Sequence, residues 1–221
     1  MKIEELPFEI LEQIFQYLTL EDQSINALVC TKFHSISIYM NIKFKISFTR
    51  VGNSLELVKW VYNNNKINLL KYAAKNGNLE NMKWLKANEC PWDSRTFDFA
   101  AKNGNLENMK WLRENGCPRG SETFDNAAGN GNLENMKWLR ANGCLWNSDT
   151  FNCATENGNL ENMKWLKANG CPWGLLTFYF AAKNGTLENM KWLKANKCSW
   201  GMYTFNGAAA NGSLENMKWL K

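Results

Sequence analysis

One eleven-residue phrase occurs six times in the chain, and this repetition constrains the fold more than any other feature. NGNLENMKWLK begins at residue 76, and close copies begin at 103, 130, 157, 184 and 211, each 27 residues after the last. A fixed period in this range is typical of arrays in which each copy is one small unit that buries its apolar face only against its neighbours. The repeat therefore predicts an all-α stack of helix-turn-helix units.

Each copy is predicted to hold two short helices, with capping residues between them. A glycine such as Gly131 ends the first helix, because glycine readily takes the left-handed position past a helix end. A second glycine ends the second helix in most copies, but Glu89 and Lys197 replace it in two, where we expect Asn88 or Asn196 to end the helix. The residue before each second helix has a side chain that favours an N-cap: Asn78, Asn105, Asn132, Asn159, Thr186 or Ser213.

The second helix is apolar over too wide an arc for a surface helix. At 100° per residue, Leu133, Met136, Trp138 and Leu139 cover about 220°, roughly twice what one buried face requires. Such a helix needs neighbours on both sides. We expect the tryptophan column of these helices to supply much of the interface energy: Trp60, Trp84, Trp111, Trp138, Trp165, Trp192 and Trp219. A second column in the loops is also expected to pack: Trp92, Trp146, Trp173 and Trp200.

Composition excludes several classes of protein. The net charge of +5 is too small to indicate nucleic acid, and no apolar run approaches the ~20 residues of a membrane span. The acidic start MKIEELPFEI lacks a secretory core. Five of the seven cysteines recur every 27 residues, without any C-x-x-C pair and with His34 as the only histidine. We therefore expect buried reduced thiols, no metal, no cofactor and a cytoplasmic or nuclear location.

The differences between copies fall on one side of the first helix. The columns of Thr123, Phe124, Ala127 and Ala128 are nearly constant, whereas other columns vary and centre about 180° away. An acidic middle beside an aromatic end is a surface that a protein partner could use, with neutral drift of a solvated face as the alternative. The predicted partner-binding residues are Arg95, Asp98, Phe99, Lys102, Glu122, Asp125, Asn126, Asp149, Asn152, Glu156, Leu176, Tyr179, Phe180, Lys183, Tyr203 and Asn206.

The identity of LENMKWL in all six copies includes residues that we place on the surface, such as Asn135 and Lys137. Packing alone does not explain their constancy, so we attribute it to recent duplication. The lysines of this phrase would form a solvated outer stripe with glutamate partners three residues away, rather than a nucleic-acid surface.

The repeat resembles the ankyrin family. AAKNGNLENMKWLRENG at 100–116 is similar to the ankyrin pattern A-A-x-x-G-x-L-E-x-(two apolar)-K-x-L-L-x-x-G, and the resemblance covers 76–221 with a degenerate first copy at 49–75. Ankyrin repeats usually run six residues longer, in the segment that forms their β-hairpin finger. The resemblance implies that the first helices line a concave binding surface. Repeats of 27 residues resemble those of protists and their large DNA viruses, which would place a viral protein in the host cytoplasm.

Residues 3–37, IEELPFEILEQIFQYLTLEDQSINALVCTKFHSIS, resemble an F-box, although Gln23 stands where that family usually has leucine. The resemblance implies docking to the Skp-type adaptor of a cullin ubiquitin ligase. We assign residues 1–48 to this domain and its connector, and note that 36–48 alternate as a strand would. The alternative is a helical cap that binds no adaptor. The adaptor-binding residues that the resemblance implies are Leu6, Pro7, Ile10, Leu11, Ile14, Leu18, Val29, Cys30 and Phe33.

The sequence therefore predicts a non-enzymatic substrate-recognition subunit of a cullin-type ubiquitin ligase, whose array binds a target protein. The alternative is a scaffold that sequesters a partner without ubiquitination. One histidine and no glycine-rich phosphate loop leave no catalytic constellation. The last copy stops at Lys221, so we expect Leu214, Met217 and Trp219 to lie partly exposed, to be covered by further chain, or to be covered by a second copy of the protein.

Overall fold

The computed structural model describes residues 58–59, 69–184 and 186–221, and these residues contain helices and no strand. The all-α fold and the helical repeat array are confirmed in this part of the chain. The F-box-like residues, the 36–48 connector and most of the degenerate first copy lie outside it. The helices are α1 (Leu70–Asn76), α2 (Leu79–Ala87), α3 (Ser94–Asn103), α4 (Leu106–Glu114), α5 (Thr123–Asn130), α6 (Leu133–Ala141), α7 (Ser148–Asn157), α8 (Leu160–Ala168), α9 (Thr177–Asn184), α10 (Leu187–Ala195), α11 (Tyr203–Asn211) and α12 (Leu214–Trp219).

The predicted N-caps of the second helices are confirmed. The Asn159 side chain accepts hydrogen bonds from the backbone N–H groups of Glu161 at 3.0 Å and Asn162 at 3.3 Å. Thr186 and Ser213 serve the same purpose in the last two copies, each accepting from the third helical residue. Because these side chains satisfy amide groups that a helix start leaves unpaired, the copies exchange one cap for another without changing the fold.

The second helices that lack the glycine end at Asn88 and Asn196, as predicted. Glu89 and Lys197 themselves take the left-handed conformation, each with a φ of 62°, as the glycines do in the other copies. Asn196 does donate its side-chain amide to the Trp192 carbonyl at 2.8 Å, but the corresponding asparagine does the same where glycine follows. The asparagine is therefore a general feature of the helix end, and the two non-glycine residues carry backbone strain.

Residues Asp93–Lys221 form one compact unit, and its first helices stack side by side. α5 packs against α3 and α7, and α9 packs against α7 and α11, while each second helix packs on the first helix of its own copy. The constant phenylalanine is fully buried in four of the first helices, at Phe97, Phe124, Phe151 and Phe178, whereas Phe205 in α11 is 44% exposed. The described residues before Asp93 belong to a second unit, in which α1 packs against α2.

The two tryptophan columns both pack, but less completely than the phenylalanines. The second-helix tryptophans within the described residues are half-buried, so the phenylalanine, methionine and leucine columns supply the fully buried surface. In the loops, Trp146 lies edge-on between Phe124 and Trp165, with ring centroids 5.3 and 5.7 Å away. The guanidinium of Arg140 lies 3.9 Å from the Trp146 ring centroid. The loop tryptophans thus join neighbouring copies, as predicted.

Asn135 is buried rather than exposed, which corrects our assignment of this column to the surface. Its side-chain amide donates a 2.6 Å hydrogen bond to the backbone carbonyl of Gly104, at the end of the preceding first helix. Asn162 and Asn189 make the corresponding bonds to Gly131 and Gly158. The constancy of this asparagine therefore has a structural cause at these three junctions, where it pairs a main-chain group.

A second asparagine strengthens each junction from the end of the first helix. Asn130 donates to the carbonyls of Lys102 and Asn103 at 3.2 and 3.3 Å, and Asn157 does the same one copy later. A Cβ atom on Gly104 would lie 2.4 Å from the Asn130 side chain. Glycine is needed here both for its φ of 86° and for this close approach.

Candidate functional site

The first helices present two distinct faces, as the column pattern predicts. In α5 the constant residues Thr123, Phe124, Ala127 and Ala128 are buried, with at most 1% of any of them exposed. The opposite side is open to solvent at Gly129, and at Glu122 just before the helix. We call the open side of α3, α5, α7, α9 and α11 the variable face. That this face binds a partner stays a prediction.

The predicted partner-binding residues differ in how far they are exposed. Asn152 is buried, with 7% of its surface exposed. The half-buried residues are Asp98, Phe99, Asp125, Asn126, Tyr179, Phe180 and Lys183. The exposed residues are Arg95, Lys102, Glu122, Asp149, Glu156, Leu176, Tyr203 and Asn206.

One column of the variable face also holds neighbouring copies together. The Thr123 hydroxyl donates to Asp98 Oδ1 at 2.6 Å, and the Thr177 hydroxyl donates to Asn152 Oδ1 at 2.8 Å. Thr150 donates to Asp125 in the same way. Each threonine comes from the copy after its acceptor. Aspartate and asparagine both serve in these three copies because the bond requires only an oxygen that accepts it, whereas Tyr179 occupies the same position in the next copy.

The middle of the face gathers the carboxylates of Glu122, Asp125, Asp149 and Glu156, although the whole chain has a net charge of +5. Burial raises the pKa of Asp125 despite the Thr150 hydrogen bond, and the carboxylates of Asp149 and Glu122 raise it further. Burial, and then the carboxylates of Asp125, Glu156, Asp149 and Glu122, raise the pKa of Cys153 to about 11. Burial is the larger cause of both shifts, and the surrounding carboxylates add to it.

The two ends of the variable face are chemically different. At one end, Arg95 donates to the carboxylate of Asp93, with Nη2 and Oδ2 2.6 Å apart, so its charge is already paired. At the other end the rings of Tyr179 and Phe180 lie edge to face with centroids 5.3 Å apart. Leu176 and Tyr203 are 45% and 59% exposed beside them. Exposed aromatic and aliphatic groups of this kind are typical of protein-binding surfaces.

An open groove runs over α5 between α3 and α7. The groove is lined by Lys102, Asp125, Asn126, Gly129, Asn130, Cys153, Glu156 and Asn157, with a volume of about 370 Å³. Four of these residues, Lys102, Asp125, Asn126 and Glu156, are among the predicted partner-binding residues, and the structure brings them together. Gly129, Cys153 and the two asparagines are missing from that prediction. A glycine within a helical pattern is the signal in the sequence that marks this place.

The recurring cysteines are buried free thiols, as predicted. Burial raises the pKa of Cys171 to about 12 and that of Cys198 to about 11. Thiols that stay protonated at neutral pH are poor nucleophiles and poor metal ligands. These cysteines therefore act as small apolar side chains between copies.

Residues 3–42 match the family model described as F-box-like. No curated protein matches the chain. All nine predicted adaptor-binding residues fall within the matched segment, although they lie outside the described residues. The match supports a role in protein interaction through the F-box-like segment, with an adaptor of the Skp type as the coarse class of partner. No described helix is long and apolar enough to cross a membrane.

Proposed function

We propose that the chain is a substrate-recognition subunit of a cullin-type ubiquitin ligase and acts by binding, without catalysis of its own. The F-box-like match at residues 3–42 carries this proposal. That segment docks a Skp-type adaptor through apolar residues that include Leu6 and Ile10. The array, whose repeats resemble short ankyrin repeats, binds the protein to be ubiquitinated.

The geometry of the array supports the second half of the proposal. The constant columns form the junctions between copies, where Thr123, Phe124 and Asn135 are buried. The junctions leave the variable face free to change its chemistry from acidic at Asp149 to aromatic at Tyr179 without loss of the fold. A rigid helical stack that varies on one face is a suitable surface for a protein partner.

Co-purification tests the docking of the adaptor. The full chain is expressed with a Skp-type adaptor and isolated through a tag on the chain. We expect the adaptor to be retained at about one copy per chain, and we expect the triple variant Leu6→Ala, Pro7→Ala, Ile10→Ala to lose it. The matched control changes Lys137, Lys164 and Lys191 to alanine, because these residues are exposed on second helices and lie outside the matched segment.

The co-purification distinguishes a ligase subunit from a scaffold that binds a target but no adaptor. If the wild-type chain retains no adaptor, the ligase function is wrong and the protein is a binding scaffold only. If the triple variant retains as much adaptor as wild type, the F-box-like segment is not the docking site. A target that is captured by the array but never ubiquitinated by the reconstituted ligase would also support the scaffold.

A further inference from the structure

The groove over α5 exists because Gly129 has no side chain. The same column holds Lys102 in α3, Glu156 in α7 and Lys183 in α9, so the fold accepts long side chains at this position. A Cβ atom on Gly129 would meet only the Cys153 Cβ atom, at 3.8 Å, an ordinary contact. The junctions therefore do not require glycine here. Glycine inside a helix also costs about 1 kcal/mol relative to alanine.

The groove offers oxygen acceptors that the fold leaves open. Asp125 uses one carboxylate oxygen to accept from Thr150. Within the described part of the chain, no donor contacts its second oxygen, and no ion pair engages Glu156. Lys102 lines the opposite, α3 side. A cation entering the groove is therefore favoured on the α7 side, between Asp125 and Glu156, and repelled on the α3 side.

An aromatic platform lies beside this groove along the stack. Tyr179 and Phe180 belong to α9, which packs against α7. Neighbouring packed helices lie ~8–10 Å apart. The midpoint between α5 and α7 is one and a half such spacings from α9, so the groove lies roughly 12–15 Å from the aromatic residues of α9. An extended chain covers that distance in about four or five residues at ~3.3 Å each.

We infer that the variable face binds an extended segment of a partner protein that carries an arginine or lysine and, about five positions away, an aromatic residue. The cationic side chain occupies the space over Gly129 and pairs with Asp125 and Glu156. The aromatic residue packs on Tyr179 and Phe180. Charge complementarity selects a basic segment, since the carboxylates of Asp125 and Glu156 both line the groove. The inference rests on one part of the proposed function, namely that the repeat array is the part that binds the target protein.

The probe is a fluorescein-labelled Gly/Ser peptide with one arginine and one tryptophan about five positions apart, made in both orders. Fluorescence anisotropy measures its Kd for the full chain. We expect at least one order of residues to bind, and replacement of the arginine by glutamate to raise the Kd at least about tenfold. Added salt is expected to weaken binding, since the contact is between exposed charges.

Gly129→Lys is the diagnostic variant, because it fills the groove with a residue that the fold already accepts in this column. We expect it to raise the Kd of the arginine peptide at least about tenfold while the Tm stays the same or rises, because lysine favours a helix more than glycine does. Ala210→Lys is the matched control. It adds the same charge in the same column at a distance from the groove, so the Kd is expected to stay within about threefold of wild type.

Three results would overturn the inference: neither peptide binds, the arginine and glutamate peptides bind equally, or Gly129→Lys binds as wild type does. The adaptor co-purification shows whether a failure of this inference is also a failure of the proposed function. If the adaptor is retained and the peptide is not bound, the inference fails and the ligase function stands. If the peptide is bound and the adaptor is lost, the face binds basic segments within a scaffold.

Discussion

The side-chain amide of Asn162 donates a 2.6 Å hydrogen bond to the backbone carbonyl of Gly131, which belongs to the preceding copy. Gly131 ends the first helix of that copy in the left-handed conformation, where its carbonyl has no partner within the helix. Asn162 is fully buried. One amide thus satisfies a helix end and fixes the position of the next copy.

Asn162→Ala should lower the free energy of unfolding by about 1–3 kcal/mol, because it leaves the carbonyl of half-buried Gly131 without this partner. Urea unfolding followed by circular dichroism measures the change. Lys164→Ala is the control on the same helix: its ammonium is exposed and pairs only with Glu161 at 3.0 Å, so its cost should stay below about 0.5 kcal/mol. Equal effects of the two variants would contradict the structural role of Asn162.

Lys197→Gly should raise the free energy of unfolding by about 0.5–1 kcal/mol. Lys197 has a φ of 62°, a conformation that costs a residue with a Cβ atom ~1–2 kcal/mol and costs glycine almost nothing. Gly170→Ala is the reverse change at the corresponding position, where a Cβ atom would meet nothing within 4 Å. It should destabilise by a similar amount through the backbone alone. Thermal unfolding of both variants should show a higher Tm for Lys197→Gly and a lower Tm for Gly170→Ala than for wild type.

Asp125→Ala and Asp125→Asn should have different effects on stability. Alanine leaves the buried Thr150 hydroxyl without its acceptor and should cost about 1–3 kcal/mol. Asparagine keeps an acceptor, as Asn152 does for Thr177 at 2.8 Å, and removes a charge that burial disfavours. At pH 7 we therefore expect Asp125→Asn to be as stable as wild type or more stable. Chemical unfolding at pH 7 gives the comparison.

The difference in unfolding free energy between the wild-type protein and Asp125→Asn should change with pH in a direction that the raised pKa of Asp125 predicts. Burial raises the pKa of Asp125 in the folded state, so the folded chain binds this proton more readily than the unfolded chain. Wild-type stability relative to Asp125→Asn should rise as pH falls through the raised pKa, and should be lost again as pH rises through it. A difference between the two proteins that is constant from pH 4 to pH 7 would contradict the shift.

Trp146→Ala should destabilise the array by about 2–4 kcal/mol. The indole lies between Phe124 and Trp165, with centroids within 6 Å, and beneath the guanidinium of Arg140. Leu145→Ala is a control one residue away: Leu145 is 82% exposed, so its removal should cost less than about 0.5 kcal/mol. Guanidinium unfolding measures both. A Trp146→Ala variant as stable as the control would exclude this tryptophan from the junction.

Periodicity predicts the helices of this chain well because the same capping and apolar residues recur in every copy. Asn159 and Gly131 are recognisable from the sequence as the residues that start and end helices. The junctions are not recognisable in this way, since Asn135 follows polar residues in a helix and only the packing of copies shows that it is buried. The strain at Lys197 is also invisible, because it depends on the backbone that the other copies impose.

The candidate site is predicted in outline and not in detail. The constant and variable columns lie on opposite sides of the first helix, and this pattern correctly identifies which side of α5 is open to solvent. The pattern does not show that Asp125 also accepts a hydrogen bond from Thr150, because that contact joins residues from different copies. Nor does variation alone reveal that Gly129 forms a groove, since a missing side chain becomes informative only when its neighbours are known.

The asparagine bonds described above end on main-chain oxygens, such as that of Gly131, which every copy possesses whatever its side chains. These main-chain bonds therefore do not depend on the side chains of the preceding copy. Recombination within the gene could add, remove or reorder whole units while the protein stays folded. New binding specificities would then arise by rearranging existing units as well as by point mutation.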